Sequence, residues 1–422
     1  MTKDAPFRET FLYWLKLGFI SFGGPTGQIA MMHKEIVETK KWMQEDRFLH
    51  ALNFCMLLPG PEAQQLATYI GWSLNGARGG LAAGILFVLP SVFFLWLLSW
   101  VYAAYGAIPS VAALLYGLKP AVVAIVAEAV IRIAKKALRT GGLAVMAALS
   151  FIAIYFINIP FPLLVLGAAL VGYILNHRLS GRPKASAPDV DEITGSSASA
   201  GIWRTIRIGT LGLTLWFSPI IILGLWAGWD SIFVNIGVLF SKAAVVTFGG
   251  AYAVLGYISQ QAVSHYNWLS PEQMMDGLAL AETTPGPLIM VNQFVAYTAA
   301  YLHAPGLASA VAGAVGGLLA TWVTFVPSTL WIFLGAPHIE ALRRNAKLSS
   351  ALMAITASVV GVVLSLAVNF THHTLLPESG RFEWYALAAS IVVFAGIMRY
   401  KWGMIPVIIC SALAGYLWKL IV

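Results

Sequence analysis

Long, uninterrupted apolar segments restrict the fold of this chain more than any other feature. Several approach the roughly 20 residues that an α-helix needs to cross a bilayer's hydrocarbon core. Examples are Leu81 to Tyr102, Val111 to Val130, Leu143 to Ile157 and Pro162 to Leu175. Of the 422 residues, 59% are hydrophobic and 10% are charged, too few polar groups to cover a water-soluble fold. Because lipid offers no partner for unpaired backbone groups, the sequence predicts an all-α polytopic integral membrane protein.

Charge and cysteine usage exclude several classes of protein. The net charge is +8, but Lys and Arg lie between apolar segments rather than on one basic surface, so no nucleic-acid partner is predicted. Cys55 and Cys410 lie far apart, without disulfide or metal-ligand spacing. We therefore predict no metal site and no cofactor, and a lipid bilayer as the surrounding medium. The N-terminus lacks the features of a cleaved signal peptide, so we expect the first helix to be kept.

Two short motifs each occur twice at one offset. FGG stands at Phe22 to Gly24 and Phe248 to Gly250, and PGP at Pro59 to Pro61 and Pro285 to Pro287, an offset of 226 in both cases. The same offset pairs Lys16 with Lys242 and Trp42 with Trp268. Farther along it becomes 237, as if the second copy gained eleven residues near 301–311, and Pro90-Ser91 then matches Pro327-Ser328. The chain is therefore predicted to be a duplication.

The remaining sequence divides the chain around these copies. We predict a first repeat at 1–176, a polar cytoplasmic linker at 177–205, a connecting transmembrane helix at 206–228 and a second repeat at 229–422. The connecting helix has no counterpart before the first repeat. One unpaired crossing would turn the second repeat over, so the repeats are predicted to have inverted topology.

Loop charges agree with inversion. Loop 33–47 carries four Lys and Arg residues whereas its counterpart 259–273 has none, and the uncharged loop 103–108 is matched by 340–347 with three. Since positive loops stay in the cytoplasm, the N-terminus and linker are predicted to be cytoplasmic and the C-terminus periplasmic. The number of crossings stays open, because the interrupted segments in 7–75 fit either full crossings or hairpins that turn back.

The interrupted helices are the predicted substrate site. Inverted repeats with broken helices are a recurring plan of secondary transporters. A helix that restarts after a break directs free N–H groups and its positive dipole end at the break, which suits an anion. The predicted substrate-binding residues at the breaks are Gly23, Gly24, Pro25, Pro59, Gly60, Pro61, Gln64, Gly249, Gly250, Pro285, Gly286, Pro287 and Asn292. Alternatively, Gly and Pro there only allow kinks and close packing.

Several charged residues within apolar segments are further candidates. Lys16 and Lys242 each precede their FGG by six residues, so they are predicted to face the anion; the alternative is that they reach the membrane interface.

Glu62, directly after PGP, and Glu282, three residues before the second PGP, are candidates for proton coupling. Glu62 could instead stabilise a helix N-terminus. Lys119 and Glu128 are secondary candidates, with packing or ion pairing as the alternative.

The motif-bearing segments resemble the chromate ion transporter family, long two-domain type. The resemblance rests on FISFGGPTGQIAMM and MLLPGPEAQQLATYIGW, with TFGGAYAVLGYI and ETTPGPLIMVNQFVAY in the second half. It implies chromate efflux and chromate resistance in a bacterial inner membrane. Sulfate, also a tetrahedral dianion, stays open as a substrate, as does a homo-oligomeric assembly.

Three functional classes fit these features to different degrees. A secondary carrier is favoured because no P-loop or other ATP-binding motif occurs. A membrane-embedded enzyme would need clustered acids, histidines or a nucleophile beside a base, and only scattered carboxylates are present, so we predict no enzymatic activity. An anion channel with the same broken helices remains the third class.

Overall fold

The regular structure of the protein is helical. The computed structural model describes residues 5–22, 24–175, 198–248, 250–336, 346–377 and 380–421, and these ranges contain no strand. Within them, six helices are long and apolar enough to cross a membrane. They are Glu62–Tyr105, Pro109–Ala137, Ile202–Ala227, Ser309–Gly335, Ser349–Leu375 and Met404–Ile421. The predicted all-α polytopic membrane fold is confirmed.

The first half begins with short helices and continues with long ones. Its elements are α1 (Phe7–Ile20), α2 (Gly24–His33), the π-helix π1 (Lys34–Thr39), α3 (Glu45–Cys55), α4 (Glu62–Tyr105), α5 (Pro109–Ala137), α6 (Gly141–Tyr155) and α7 (Phe161–Ile174). The long α4 is interrupted at Asn75 and Gly76, where the backbone leaves helical geometry. It is therefore a helical hairpin with two arms.

The second half repeats this order after one extra helix. The extra helix is α8 (Ala198–Ala227). It is followed by α9 (Ile232–Val246), α10 (Ala251–Ser259), the π-helix π2 (Gln260–His265), α11 (Pro271–Thr283), a 3₁₀ turn (Leu288–Met290) leading into α12 (Val291–His303), α13 (Ser309–Gly335), α14 (Ala346–Leu375), α15 (Trp384–Tyr400) and α16 (Met404–Ile421). The two π-helices lie 226 residues apart, the offset of the motifs.

The helix bounds refine two details of the sequence-based division. Helix α8 begins at Ala198, so residues 198–205, predicted as linker, are helical; the rest of the linker, 177–197, lies outside the described residues. The predicted eleven-residue insertion falls where α12 and α13 are joined by residues 304–308. The first half makes the corresponding connection through the tight turn at Asn75 and Gly76.

Two of the interrupted helices of the first half are shorter than the thickness of a hydrocarbon core. Helix α1 has 14 residues and α3 has 11, lengths of about 21 Å and 17 Å at 1.5 Å per residue. A hydrocarbon core is roughly 30 Å thick. Helices α6 and α7 are equally short, at 15 and 14 residues, so helix length leaves both hairpins and full crossings open.

The apolar surface of the molecule matches a lipid environment. On α8, the large side chains of Leu211, Ile222, Leu225 and Trp226 are exposed. The interior is built instead from fully buried residues such as Trp14, Phe87, Phe240 and Phe294. Water would disfavour so large an exposed apolar face, whereas acyl chains cover it at no such cost.

Small residues allow the two arms of α4 to pack together. A Cβ atom on Gly71 would lie 2.6 Å from the Ala83 Cβ, and one on Gly79 would lie 2.6 Å from the Asn75 Cβ. Both separations are shorter than van der Waals contact. The close approach of the arms thus depends on glycine, as in other membrane helix pairs.

We expect Gly71→Val to destabilise the protein by about 1–3 kcal/mol, because the added side chain overpacks the α4 hairpin. The measurement is the melting temperature of the purified protein in detergent. Gly167→Val on α7 is the matched control, since a Cβ there meets nothing within 4 Å. Equal melting temperatures for the two variants would contradict the proposed packing.

Candidate functional site

A glycine with positive φ lies at each of the four helix breaks. The φ angles are 71° at Gly24, 133° at Gly60, 102° at Gly250 and 107° at Gly286. Side-chain-bearing residues rarely adopt this region, so glycine lets the chain turn before the next helix. Gly24 matches Gly250 and Gly60 matches Gly286 at the offset of 226. The two halves therefore break their helices by the same backbone geometry.

The other predicted break residues lie around these glycines. Pro25 is the second residue of α2, Pro61 directly precedes α4, and Pro287 directly precedes the 3₁₀ turn. Pro59 and Pro285 begin the two PGP motifs. Gly23 and Gly249 lie outside the described residues. A proline suits the start of a helix because its missing N–H would have no helical partner there.

The breaks of the two halves are hydrogen-bonded to each other. The Gly60 N–H donates to the Thr247 carbonyl at 2.8 Å, and the Gly286 N–H donates to the Ser21 carbonyl at 2.8 Å. Ser21 and Thr247 are themselves 226 residues apart, so the two bonds are equivalent under the duplication. Each PGP motif is thus joined to the segment before the other half's FGG.

Two serines make a second reciprocal contact. The Ser91 hydroxyl donates to the Pro285 carbonyl, and a Cβ on Gly60 would lie 3.0 Å from Ser328 Oγ. A Cβ on Gly286 would likewise collide with Ser91. The two serines belong to the two Pro-Ser pairs that match at the offset of 237. Each serine packs against the PGP motif of the opposite half. Their proximity leaves no room for a side chain at either glycine.

Buried amide side chains connect these segments. Gln28 Nε2 donates to the Gly286 carbonyl at 2.6 Å and to the Ser21 carbonyl at 3.1 Å. Gln64 Oε1 accepts from Ser328 Oγ at 2.7 Å. Asn292, also predicted, donates to Thr324 within its own half rather than across to the other. Gln28 was missed by the sequence analysis, because α2 alone does not show that the opposite PGP packs on it.

Four helix starts adjoin these hydrogen-bonded segments, which form the polar centre. Helix α2 begins at Gly24, α4 at Glu62, α10 at Ala251 and the turn into α12 at Leu288. Each start carries free N–H groups and a positive dipole end. The Ser21 hydroxyl is also buried and has no hydrogen-bond partner among the described residues. The centre can therefore stabilise negative charge through backbone and hydroxyl donors.

The two predicted lysines lie outside this centre. Lys16 is exposed on α1 and Lys242 is exposed on α9. Their neighbours Leu17 and Ala243 are buried, so each lysine is on the outer face of its helix. The structure therefore keeps the lysines in equivalent positions without joining them to the polar centre.

The predicted carboxylates lie beside the centre, in different surroundings. Glu62 is half-buried at the first position of α4. Glu282 is buried near the end of α11 and accepts a hydrogen bond from the Tyr252 hydroxyl at the start of α10. Tyr252 was missed by the sequence analysis, because the two residues meet only when α10 and α11 pack.

An arginine not singled out from the sequence extends this group. Arg132 Nε lies 3.1 Å from Glu128 Oε1, one helical turn earlier on α5. Its guanidinium carbon is 5.9 Å from the centre of the Tyr252 ring. Glu128 is therefore in an ion pair, which is the alternative that the sequence analysis gave to a role in the substrate site. Its i,i+4 spacing to Arg132 could have indicated the pair from the sequence.

The fold and this centre together define a polytopic membrane protein of the broken-helix type, an architecture that transport proteins use. The family model described as "Chromate transporter" matches residues 8–173 and 234–416. The chain belongs to this family, and the resemblance noted from the motifs is confirmed.

Individual relatives match over nearly their full length. A chromate transport protein of Pseudomonas aeruginosa is 29% identical over 97% of this chain and 92% of its own. One of Cupriavidus metallidurans is 25% identical over 96% and 91%. An uncharacterized transporter of Methanocaldococcus jannaschii is 28% identical over 96% and 93%. No solved structure matches the chain.

We expect Gly286→Ala to lower the melting temperature markedly, because the added methyl group combines a disfavoured φ with a collision at Ser91. Gly306→Ala is the matched control: its φ is also positive, at 81°, but a Cβ there meets nothing within 4 Å. The difference between the two variants isolates the contact between the halves. Similar melting temperatures would show that this contact contributes little.

Proposed function

We propose that this protein is a secondary carrier that exports chromate across the bacterial inner membrane and thereby confers chromate resistance. Two full-length relatives are named chromate transport proteins. The observation that carries the proposal is the pair of reciprocal hydrogen bonds from Gly60 to Thr247 and from Gly286 to Ser21. These bonds bring four helix starts into one buried centre with the electrostatics of an oxyanion site.

Inverted repeats follow from the same proposal. The extra helix α8 stands between two sets of helices in the same order, and equivalent loops carry opposite amounts of Lys and Arg. Both observations support a cytoplasmic N-terminus and a periplasmic C-terminus. Two halves related in this way offer the centre to each side in turn, which is how repeat-based carriers alternate access.

The substrate competes with the protein's own carbonyl groups. The Gly60 and Gly286 N–H groups, each now held by a carbonyl of the other half, are donors that an arriving oxyanion can take over. A charged acceptor forms the stronger hydrogen bond with an N–H group. Binding would therefore loosen the contact between the halves and allow them to move.

The proposed substrate site consists of the break residues and their nearest polar side chains. The members besides the two glycines just named are Gly23, Gly24, Pro25, Pro59, Pro61, Gln64, Gly249, Gly250, Pro285, Pro287 and Asn292. Lys16 and Lys242, on outer helix faces, are proposed to attract the dianion from outside this site. Glu62 and Glu282 are the proposed proton carriers, since each adjoins a PGP motif. A carboxylate beside a dianion gains a proton more readily, which links the two ions.

The membrane potential favours the proposed direction. Moving one elementary charge across 100 mV is worth about 2.3 kcal/mol, so a dianion leaving a negative interior gains about twice that. Export therefore requires no ATP-binding motif.

Chromate flux into inside-out vesicles is the direct test. We expect vesicles that contain the protein to accumulate chromate when the potential or the pH gradient is imposed, and empty vesicles not to. Sulfate is added as competitor, because it has the same shape and charge. Absence of gradient-dependent chromate flux would refute the proposal, and sulfate flux in its place would reassign the substrate.

Conductance measurements separate a carrier from a channel. Unitary conductance steps in a planar bilayer would identify the protein as a channel.

The vesicle flux assay also tests proton coupling. With Glu62→Gln, we expect the pH dependence of chromate flux to weaken more than its apparent affinity. An unchanged pH profile would remove Glu62 from the coupling role.

The two lysines are tested by their own variants. We expect Lys16→Ala and Lys242→Ala each to lower chromate resistance of cells by about tenfold or more, because an intramembrane cation beside the path attracts the dianion. Protein amounts in the membrane are compared by immunoblot, and Lys401→Ala, exposed at the end of α15, is the control. Normal resistance in both variants would restrict the lysines to a membrane-interface role.

A further inference from the structure

A cavity away from the helix breaks contains polar groups that the proposed function does not yet use. It has a volume of about 570 Å³ and opens between the first half of α5, the end of α4, α11 and α16. Its polar lining residues are Tyr102, Ser110, Tyr116, Lys119, Asp276, Tyr416 and Lys419. Such a volume accommodates a tetrahedral oxyanion together with several water molecules.

Two ammonium groups lie in this cavity. Lys119 is half-buried on α5, and Lys419 is on α16 with its ammonium 4.5 Å from the centre of the Tyr116 ring. Lys119 lies close enough to Asp276 for an electrostatic interaction. Of the lining residues, Asp276 is the acidic one. The lining therefore combines two basic side chains with one acidic side chain.

Asp276 is incompletely paired. Its side chain is 5% exposed, and its Oδ2 accepts a hydrogen bond from the Tyr102 hydroxyl at 3.0 Å. Its Oδ1 is buried and has no hydrogen-bond partner within the described part of the chain. An unpaired carboxylate oxygen is a free acceptor, so Asp276 can compete with a bound anion for the Lys119 ammonium.

Other acidic groups near the cavity are already engaged. The Glu383 carboxylate accepts a hydrogen bond from the Tyr116 hydroxyl at 2.7 Å. Glu272 lies one helical turn before Asp276 and interacts with Ser270, Lys119 and His373. Neither glutamate lines the cavity. Asp276 is thus the acid that would oppose an anion bound at Lys119 most directly.

We infer that this cavity is a second oxyanion site, at which a tetrahedral dianion binds between Lys119 and Lys419 while Asp276 competes for Lys119. The inference rests on the proposed transport of an oxyanion. The Tyr416 and Ser110 hydroxyls donate to the bound anion, and the Asp276 carboxylate lowers its affinity. A weakened site of this kind releases its ligand quickly, as a station on a transport path must.

The position of the cavity fits such a station. It adjoins the loop 103–108, which the loop charges assign to the periplasmic side. Helix α5 runs from this cavity towards Arg132, beside the Tyr252 and Glu282 pair at the helix breaks. Lys119 therefore lies on α5 between Arg132, near the helix breaks, and the loop assigned to the periplasmic side.

Protection of Lys119 from acetylation measures binding at this cavity alone. Full-length protein in lipid nanodiscs is treated briefly with an acetylating reagent at increasing sulfate or chromate, and lysine modification is mapped by mass spectrometry. We expect both anions to protect Lys119 from acetylation. Lys401, which is exposed directly after the C-terminal end of α15, should stay unprotected. Unchanged acetylation of Lys119 at every anion concentration would overturn the inference, and this result needs no variant.

Two variants test the assigned roles. We expect Asp276→Asn to lower the half-protecting sulfate concentration by about tenfold, because it removes a like charge beside the anion, and Lys419→Gln to raise it by about tenfold. Arg399→Gln removes a cation from an exposed helix end outside the cavity and should change nothing. Size-exclusion chromatography verifies that each variant is folded. An unchanged value in folded Asp276→Asn would refute the competing role of the carboxylate.

The vesicle assay keeps this inference separate from the proposed function. Chromate flux by wild-type protein without protection of Lys119 would reject the second site and leave the carrier intact. Protection of Lys119 without chromate flux would reject the carrier and leave an anion-binding cavity. Flux that rises in Asp276→Asn would also contradict release as the role of this site, because tighter binding there should slow it.

Discussion

Two backbone hydrogen bonds, from Gly60 to Thr247 and from Gly286 to Ser21, are the interactions on which the rest of this structure depends. A helix that stops within an apolar interior leaves N–H and C=O groups without partners, and lipid cannot supply them. Here each half supplies the partner that the other lacks. The broken helices of each half are therefore stabilised by a contact with the other half.

The same arrangement explains how a stable core can also have the donors of the proposed binding centre. The helix starts at the breaks have more donors than the protein itself can satisfy, since each α-helix leaves its first N–H groups free. Packing the matched serines, Ser91 and Ser328, against the glycines of the opposite half excludes side chains from this region. Backbone donors consequently remain close together, where a dianion can replace the carbonyls that now occupy two of them.

Sequence analysis identified the break residues because glycine and proline act locally. Gly24 and Gly250 were recognisable from their motifs, and their positive φ angles agree with the helix breaks predicted there. Gln28, Tyr252 and Asp276 escaped notice because each is paired with a residue from another segment of the chain. An isolated Gln, Tyr or Asp carries no local signal of such a partner.

Composition, apolar segment length and the recurring motifs by themselves determined that the chain is an all-α membrane protein of two related parts, because these properties depend on local chemistry and on the bilayer. Only the tertiary structure decided which break contacts which, and that Lys16 and Lys242 lie on outer helix faces while Asp276 meets a cavity with Lys119. Contacts across 200 residues depend on how helices pack, and helix packing is set by the shapes of both surfaces together.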